Sequence, residues 1–111
     1  MNTLSTHVLD TMHGRPAAGM AVALGGPIGE IARGITTADG RCPEMVACAL
    51  APGRYTLRFS VAAYFRSQGV ALTDPPFLDE VTVDFGIATD GGHYHVPLLV
   101  SPYGYSPYRG S

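Results

Sequence analysis

The chain has 111 residues, 46% of them hydrophobic and 14% charged, with a formal net charge of −2. This length fits one domain spanning 1–111 with one modest core, and the apolar content excludes a disordered chain. No run approaches the roughly 18 apolar residues of a membrane-spanning helix. The seven basic residues are all arginines scattered along the chain, so no basic face for nucleic acid is visible.

LSTHVLD (4–10) alternates, with Leu4, Thr6 and Val8 on one face and Ser5, His7 and Leu9 on the other; this predicts a strand. MAVALG (20–25) and EIARGITT (30–37) predict two more, separated by the Gly-Gly-Pro turn. TADGR (37–41) is a loop around the turn pair Asp39-Gly40. PGRYTLRFSV (52–61) alternates most clearly, with Tyr55, Leu57, Phe59 and Val61 against Arg54, Thr56, Arg58 and Ser60. AAYFRSQG (62–69) changes period and stops at glycine, as a short helix does. DEVTVDFG (79–86) and HYHVPLLV (93–100) alternate again, and the latter puts His93, His95, Pro97 and Leu99 on one face. Pro97 has no N–H for a ladder, so an edge position or a local irregularity is expected there. The tyrosines at 103, 105 and 108, with prolines 102 and 107 stiffening the segment, suit a last strand that buries its rings and docks the chain end. Seven or eight short strands with frequent turns predict an all-β, antiparallel β-sandwich.

Four histidines carry most of the candidate chemistry. The His93-x-His95 pair can be two solvated rings, a zinc pair or a general acid–base group, because imidazole titrates near neutral pH and also binds zinc. No cysteine or carboxylate sits nearby at ligand spacing. Arg41 is either a solvated loop charge or a planar donor for carbonyl and anionic oxygens. His13 reads as a surface turn residue. Cys42 and Cys48 are six positions apart and are expected to be reduced thiols. The opening MNTLSTHVLDTMHG shows no positive stretch leading into an apolar one, so the expected location is the cytoplasm.

LSTHVLDTMHGRPAAGMAVAL, DGR at 39–41, YHVPLLVSPYGYS and the final YRGS, in this order, resemble the 5-hydroxyisourate hydrolases, the enzymatic branch of the transthyretin family. The likeness runs over nearly the whole chain, and YRGS discriminates most, since the hormone-carrying branch lacks it. The resemblance implies a transthyretin-like (prealbumin-like) sandwich of two four-stranded sheets with one short helix, assembled as a homotetramer with sites in clefts between dimers. It implies hydrolysis of a cyclic amide in 5-hydroxyisourate, giving 2-oxo-4-hydroxy-4-carboxy-5-ureidoimidazoline, without metal or other cofactor and without nucleic-acid or membrane partners. By position, the family's catalytic residues fall on His7, Arg41, His95 and Ser111, and its substrate contacts on His7, Arg41, Tyr108, Arg109 and Gly110. Either His95 or His7 is the general base, the two not being separable from sequence, while the other holds the ring or passes the proton to the leaving nitrogen; His93 is read as supporting. TDPPFLDEV departs from the family pattern by its prolines. Three other readings compete: a small-molecule carrier using the same inter-dimer channel, a β-sandwich interaction module, and a zinc-binding protein.

Overall fold

The computed structural model describes residues 2–89 and 91–110. Two four-stranded sheets pack face to face. One is ordered β2-β1-β7-β8, from β1 (Thr3–Asp10), β2 (Arg15–Pro16), β7 (His93–Ser101) and β8 (Gly104–Pro107). The other is ordered β4-β3-β5-β6, from β3 (Ala21–Gly26), β4 (Gly29–Ile35), β5 (Gly53–Ser60) and β6 (Glu80–Ile87). The alternation read from the sequence becomes the packing: Leu4 and Val8 of β1, Leu57 and Phe59 of β5, and Leu98 and Val100 of β7 are fully buried between the sheets. The sandwich of two four-stranded sheets stands as expected. One pairing is not antiparallel: β1 and β7 run parallel, with Ser5 opposite His95 and His7 opposite Pro97.

The expected helix spans Val61–Ser67 as α2, burying Val61, Ala62, Tyr64 and Phe65. Gly69, at φ +82°, occupies the left-handed position that ends it. Val61, read as the last strand residue, is instead the first residue of this helix. A four-residue helix, α1 (Pro43–Val46), was not foreseen; it opens on a proline, whose missing N–H costs nothing in a first turn.

Pro97 lies inside the sheet, not at its edge, and the irregularity expected of it falls on the adjacent segment that follows β8. β7 and β8 pair from Ser101↔Gly104 to Leu98↔Pro107, stop, and meet again in the same register at a single bridge, His95↔Gly110. The gap falls opposite Pro97, which offers no donor. The tyrosine rings are not buried within the chain: Tyr103, Tyr105 and Tyr108 are each about half exposed or more, because β8 is the outermost strand of its sheet. Among the described residues no helix is long and apolar enough to cross a membrane.

Candidate active site

The outer face of the β1–β7 pair carries the histidines. Parallel register places Thr3 beside His93 and Ser5 beside His95, and period two turns all four side chains outward. Thr3 Oγ1 lies 2.7 Å from His93 Nδ1. Ser5 Oγ lies 2.8 Å from His93 Nε2 and 2.7 Å from His95 Nδ1. Both ring nitrogens of His93 are thus engaged by hydroxyls, and among the described residues Nε2 of His95 meets no hydrogen-bonding partner.

The Asp39–Arg41 turn is folded against β1. Val8 N–H donates to the Gly40 carbonyl at 2.8 Å, and a bridge joins His7 to Arg41. Only glycine fits at 40: its φ is +80°, and a Cβ there would lie 2.4 Å from the Val8 carbonyl oxygen and 3.3 Å from the His7 ring. The Asp39 carbonyl lies 2.8 Å from His7 Nε2. A carbonyl only accepts, so this nitrogen carries the proton and neutral His7 keeps its lone pair on Nδ1. The Thr37 hydroxyl, with help from the Arg41 backbone N–H, holds the Asp39 carboxyl below its usual range. That carboxylate lies 4.0 Å from Arg41 Nε, where it steadies an exposed guanidinium without engaging it fully.

The tail completes the face from the other side. Gly110 N–H donates to the His95 carbonyl at 2.8 Å, and a Cβ on Gly110 would stand 2.7 Å from Cδ2 of the His95 ring. The tail backbone therefore lies directly beneath the imidazole, a distance only glycine allows. Arg109 takes the opposite side of the strand: its guanidinium sits 4.0 Å from the centroid of Tyr94, which faces inward between the sheets. Tyr108 and Arg109 line an edge groove with Val83, Phe85, Tyr94 and Val96, while His7 and His95 lie outside it. Within one chain the structure thus gathers His7, Arg41, His95 and Gly110, and sends the Arg109 side chain to the other face, against Tyr94. Ser111, expected among the catalytic residues, lies outside the described residues.

Burial, followed by the Arg41 guanidinium and by His7 and His93 when they are protonated, holds the His95 imidazole below its ordinary value of 6.5. At neutral pH His95 is an uncharged ring with an open nitrogen, beside a guanidinium that can donate to oxygen. Such a pair can take a proton from water and stabilise the oxyanion that results. Elsewhere, the thiols Cys42 and Cys48 are free. No group of three or more His, Cys, Asp or Glu among the described residues is placed to hold a metal ion. His13 does sit in an exposed turn, but it also pairs with buried Asp10 at 2.6 Å. The roles of Thr3 and Ser5 were not read from the sequence; the signal was present, since both hydroxyls share the outward period of His7, but only the β1–β7 register gives them partners.

Residues 4–110 match the profile described as the HIUase/Transthyretin family. A 5-hydroxyisourate hydrolase from Ralstonia nicotianae is 50% identical over 117 aligned positions, with 100% of both chains covered. The structure of Klebsiella pneumoniae 5-hydroxyisourate hydrolase superposes with a TM-score of 0.86 at 38% identity, again over 100% of each chain. Sea bream transthyretin, solved in complex with thyroxine, gives a TM-score of 0.84 at 29% identity, covering 96% of this chain and 93% of that one. With its fold, its length and nearly every residue accounted for by these matches, the chain belongs to the HIUase/transthyretin family.

Proposed function

We propose that this protein is a 5-hydroxyisourate hydrolase of urate degradation, opening a cyclic amide by attack of water to give 2-oxo-4-hydroxy-4-carboxy-5-ureidoimidazoline. The single observation that carries the reading is the meeting of His7, Arg41 and His95 on one outward sheet face, with the tail backbone drawn beneath the His95 ring. A ligand carrier needs no uncharged base beside a guanidinium; a hydrolase does.

The hydrogen bonds of the two histidines support different roles for them. His7 spends Nε2 on the Asp39 carbonyl and is positioned to orient the substrate ring through Nδ1. His95 keeps Nε2 open and is the base that removes the proton from water, a step worth roughly 10²–10⁴-fold. Arg41 donates to the ring carbonyls and to the oxyanion formed as water adds. Gly110 lets the tail reach this place, and Ser111 follows it directly in the sequence. Tyr108 and Arg109 act as substrate contacts across a subunit boundary: Arg109 reaches the Tyr94 ring on the face opposite His95, and both residues line a groove that His95 does not.

The same layout favours a homotetramer, a dimer of dimers. The face bearing His7 and His95 is an open shelf in one chain, whereas a water-attack site works best when solvent is excluded and each charge acts at a lower dielectric. A second copy laid over the shelf would supply that enclosure. The test is direct: generate 5-hydroxyisourate with urate oxidase, add the protein and follow the ultraviolet decay. Decay no faster than the spontaneous rate ends the proposal. Removing residues 108–111 is expected to abolish acceleration while leaving the circular dichroism of the sandwich intact, and light scattering reports whether four chains assemble.

A further inference from the structure

We infer that Thr3, His93 and Ser5 form a hydrogen-bonded chain that fixes the tautomer of His95, making Ser5 and His93 positioning residues for the base. The inference rests on the functional reading of His95 just given, and adds to it why His95, rather than its neighbour on the same strand, acts as the base.

The geometry leaves two states for the chain. Ser5 Oγ touches two imidazole nitrogens, His93 Nε2 at 2.8 Å and His95 Nδ1 at 2.7 Å, and a hydroxyl has one hydrogen. It therefore donates to one ring and accepts from the other. A neutral imidazole likewise donates from one nitrogen and accepts at the other, so the choice made at Ser5 is passed on to Thr3, 2.7 Å from His93 Nδ1. In one state hydrogens point toward His95: Thr3 donates to His93 Nδ1, His93 Nε2–H donates to Ser5, and Ser5 donates to His95 Nδ1. His95 then carries its proton on Nε2 and has no lone pair to offer water. In the other state every hydrogen points away: His95 Nδ1–H donates to Ser5, Ser5 to His93 Nε2, and His93 Nδ1–H to Thr3. Nε2 of His95 is then a free base.

The surroundings decide between them. The cationic groups acting on the His95 ring are Arg41 from the turn, His7 from β1 when protonated, and His93 from its own strand when protonated. A guanidinium is cationic and only donates, so in its field the open nitrogen is better held as a lone pair than as a second N–H. At the far end of the chain, the exposed Thr3 hydroxyl can accept from His93 and turn its own hydrogen to solvent. The second state therefore prevails. Once His95 has taken a proton from water, the same Nδ1–H···Ser5 contact becomes charge-assisted and supports the imidazolium. His93 has both nitrogens committed to hydroxyls, which leaves it no atom with which to serve as a base itself.

The test uses the intact protein with ¹⁵N-labelled histidine rings, observed without substrate at neutral pH. His95 is expected as the Nδ1–H tautomer in the wild type and in Ser5→Thr, which keeps the hydroxyl. In Ser5→Ala and in His93→Phe it is expected to become a mixture or the Nε2–H form. In the ultraviolet assay these two variants should lose roughly 10-fold in kcat, a fraction of what a positioned base supplies, with KM little changed. His93→Gln, whose amide can still accept from Ser5, should recover part of both readouts. A wild-type His95 found as Nε2–H, or a His93→Phe protein unchanged in tautomer and kcat, overturns the inference even if the enzyme is active. A wild type with the Nδ1–H tautomer and no turnover supports the chain and removes the activity instead, so the two failures are distinguishable.

Discussion

Replacing Gly110 by alanine adds one carbon where the structure leaves no room for it. The new Cβ would stand 2.7 Å from Cδ2 of His95, with Cγ and Cβ of the same residue at 3.4 and 3.5 Å. To reach an ordinary contact at 3.4 Å, ring and tail must separate by about 0.7 Å. The ring is tied to Ser5 at 2.7 Å and to the central strand β7, so the tail is the part that yields. Gly110 is absent from the positive-φ glycines, so alanine meets a steric conflict there and no backbone strain. The stability cost is then one backbone hydrogen bond at most, Gly110 N–H to the His95 carbonyl, about 0.5–1.5 kcal/mol. The catalytic cost is larger, since a misplacement of about 1 Å can lower a rate roughly 100-fold. The expectation for Gly110→Ala is a near-native melting curve with kcat/KM in the 5-hydroxyisourate assay reduced by about 10- to 100-fold. A variant with wild-type turnover would refute the claim that the tail must lie against the imidazole. A variant that fails to fold would refute the claim that the tail contact is local.

Gly40→Ala should behave oppositely, damaging fold and activity together: φ of +80° strains any side chain, and the new Cβ falls 2.4 Å from the Val8 carbonyl oxygen. A loss of about 1–3 kcal/mol in chemical denaturation is expected, and a stability within error of wild type would contradict this reading of the turn. The acid limb of the rate profile should lie below 6.5, because the His95 pKa is lowered, first by burial and then by Arg41 and His7. The base is competent above its lowered pKa and is lost as pH falls through it. In Arg41→Ala the limb should move upward while the plateau drops, and a limb that stays in place would detach the titrating group from His95. Asp10, buried at the end of β1, accepts from the His13 backbone N–H at 2.9 Å and from Tyr64 Oη at 2.7 Å, and pairs with His13 Nδ1 at 2.6 Å. Burial alone would raise its pKa, but these contacts together hold it below 3.8. Its contribution is therefore fully present above the unfolded pKa and is lost as pH falls through the lower folded value. Asp10→Asn should cost about 1–3 kcal/mol at neutral pH, and thermal melts should show the gap to wild type closing only below 3.8. A gap that is independent of pH would mean that the charge is not what matters.

How much of this was legible before the structure depends on how local each signal is. β5 was plain because Tyr55, Leu57 and Phe59 alternate with polar residues over eight positions, and α2 because the period changes and a glycine stops it. Pro97 announced an irregularity correctly, but its location was a tertiary matter: β7 is central, and the break appears in the tail opposite. The parallel pairing of β1 with β7 leaves no local mark, since about eighty residues separate the two strands. The tyrosines at 103, 105 and 108 read as buried because large rings usually are; within the chain they stay exposed on an edge strand. Of the site, His7, Arg41 and His95 were reached through the family likeness, and spacing alone left His93 and His95 equivalent. What distinguishes them is which hydroxyl each meets across the strand boundary, and that is a property of register.

Register is consequently where core and site are joined. A slip of β1 by one residue against β7 would turn Ser5 and His7 inward and Leu4, Thr6 and Val8 out to solvent. A slip by two would keep the faces but present His95 with Thr3 or His7 in place of Ser5. No hairpin connects the two strands, so no turn fixes their alignment. The alignment is held instead from the buried side: Leu4 and Val8 fill the core, the Thr6 hydroxyl donates to the Val96 carbonyl at 2.7 Å, and the Thr11 backbone N–H meets the Val100 carbonyl at 2.9 Å. Thr6 is a polar group placed where an aliphatic one would pack as well, and its bond reaches the residue next to His95. A two-residue slip would still offer Thr6 an equivalent carbonyl, of Tyr94 or Leu98, so what penalises it is the removal of Leu4 and Val8 from the places they fill in the close-packed core. Leu4 and Val8 thus enforce the register that the outer face needs, and the geometry of the base is specified from the buried side of the sheet that carries it.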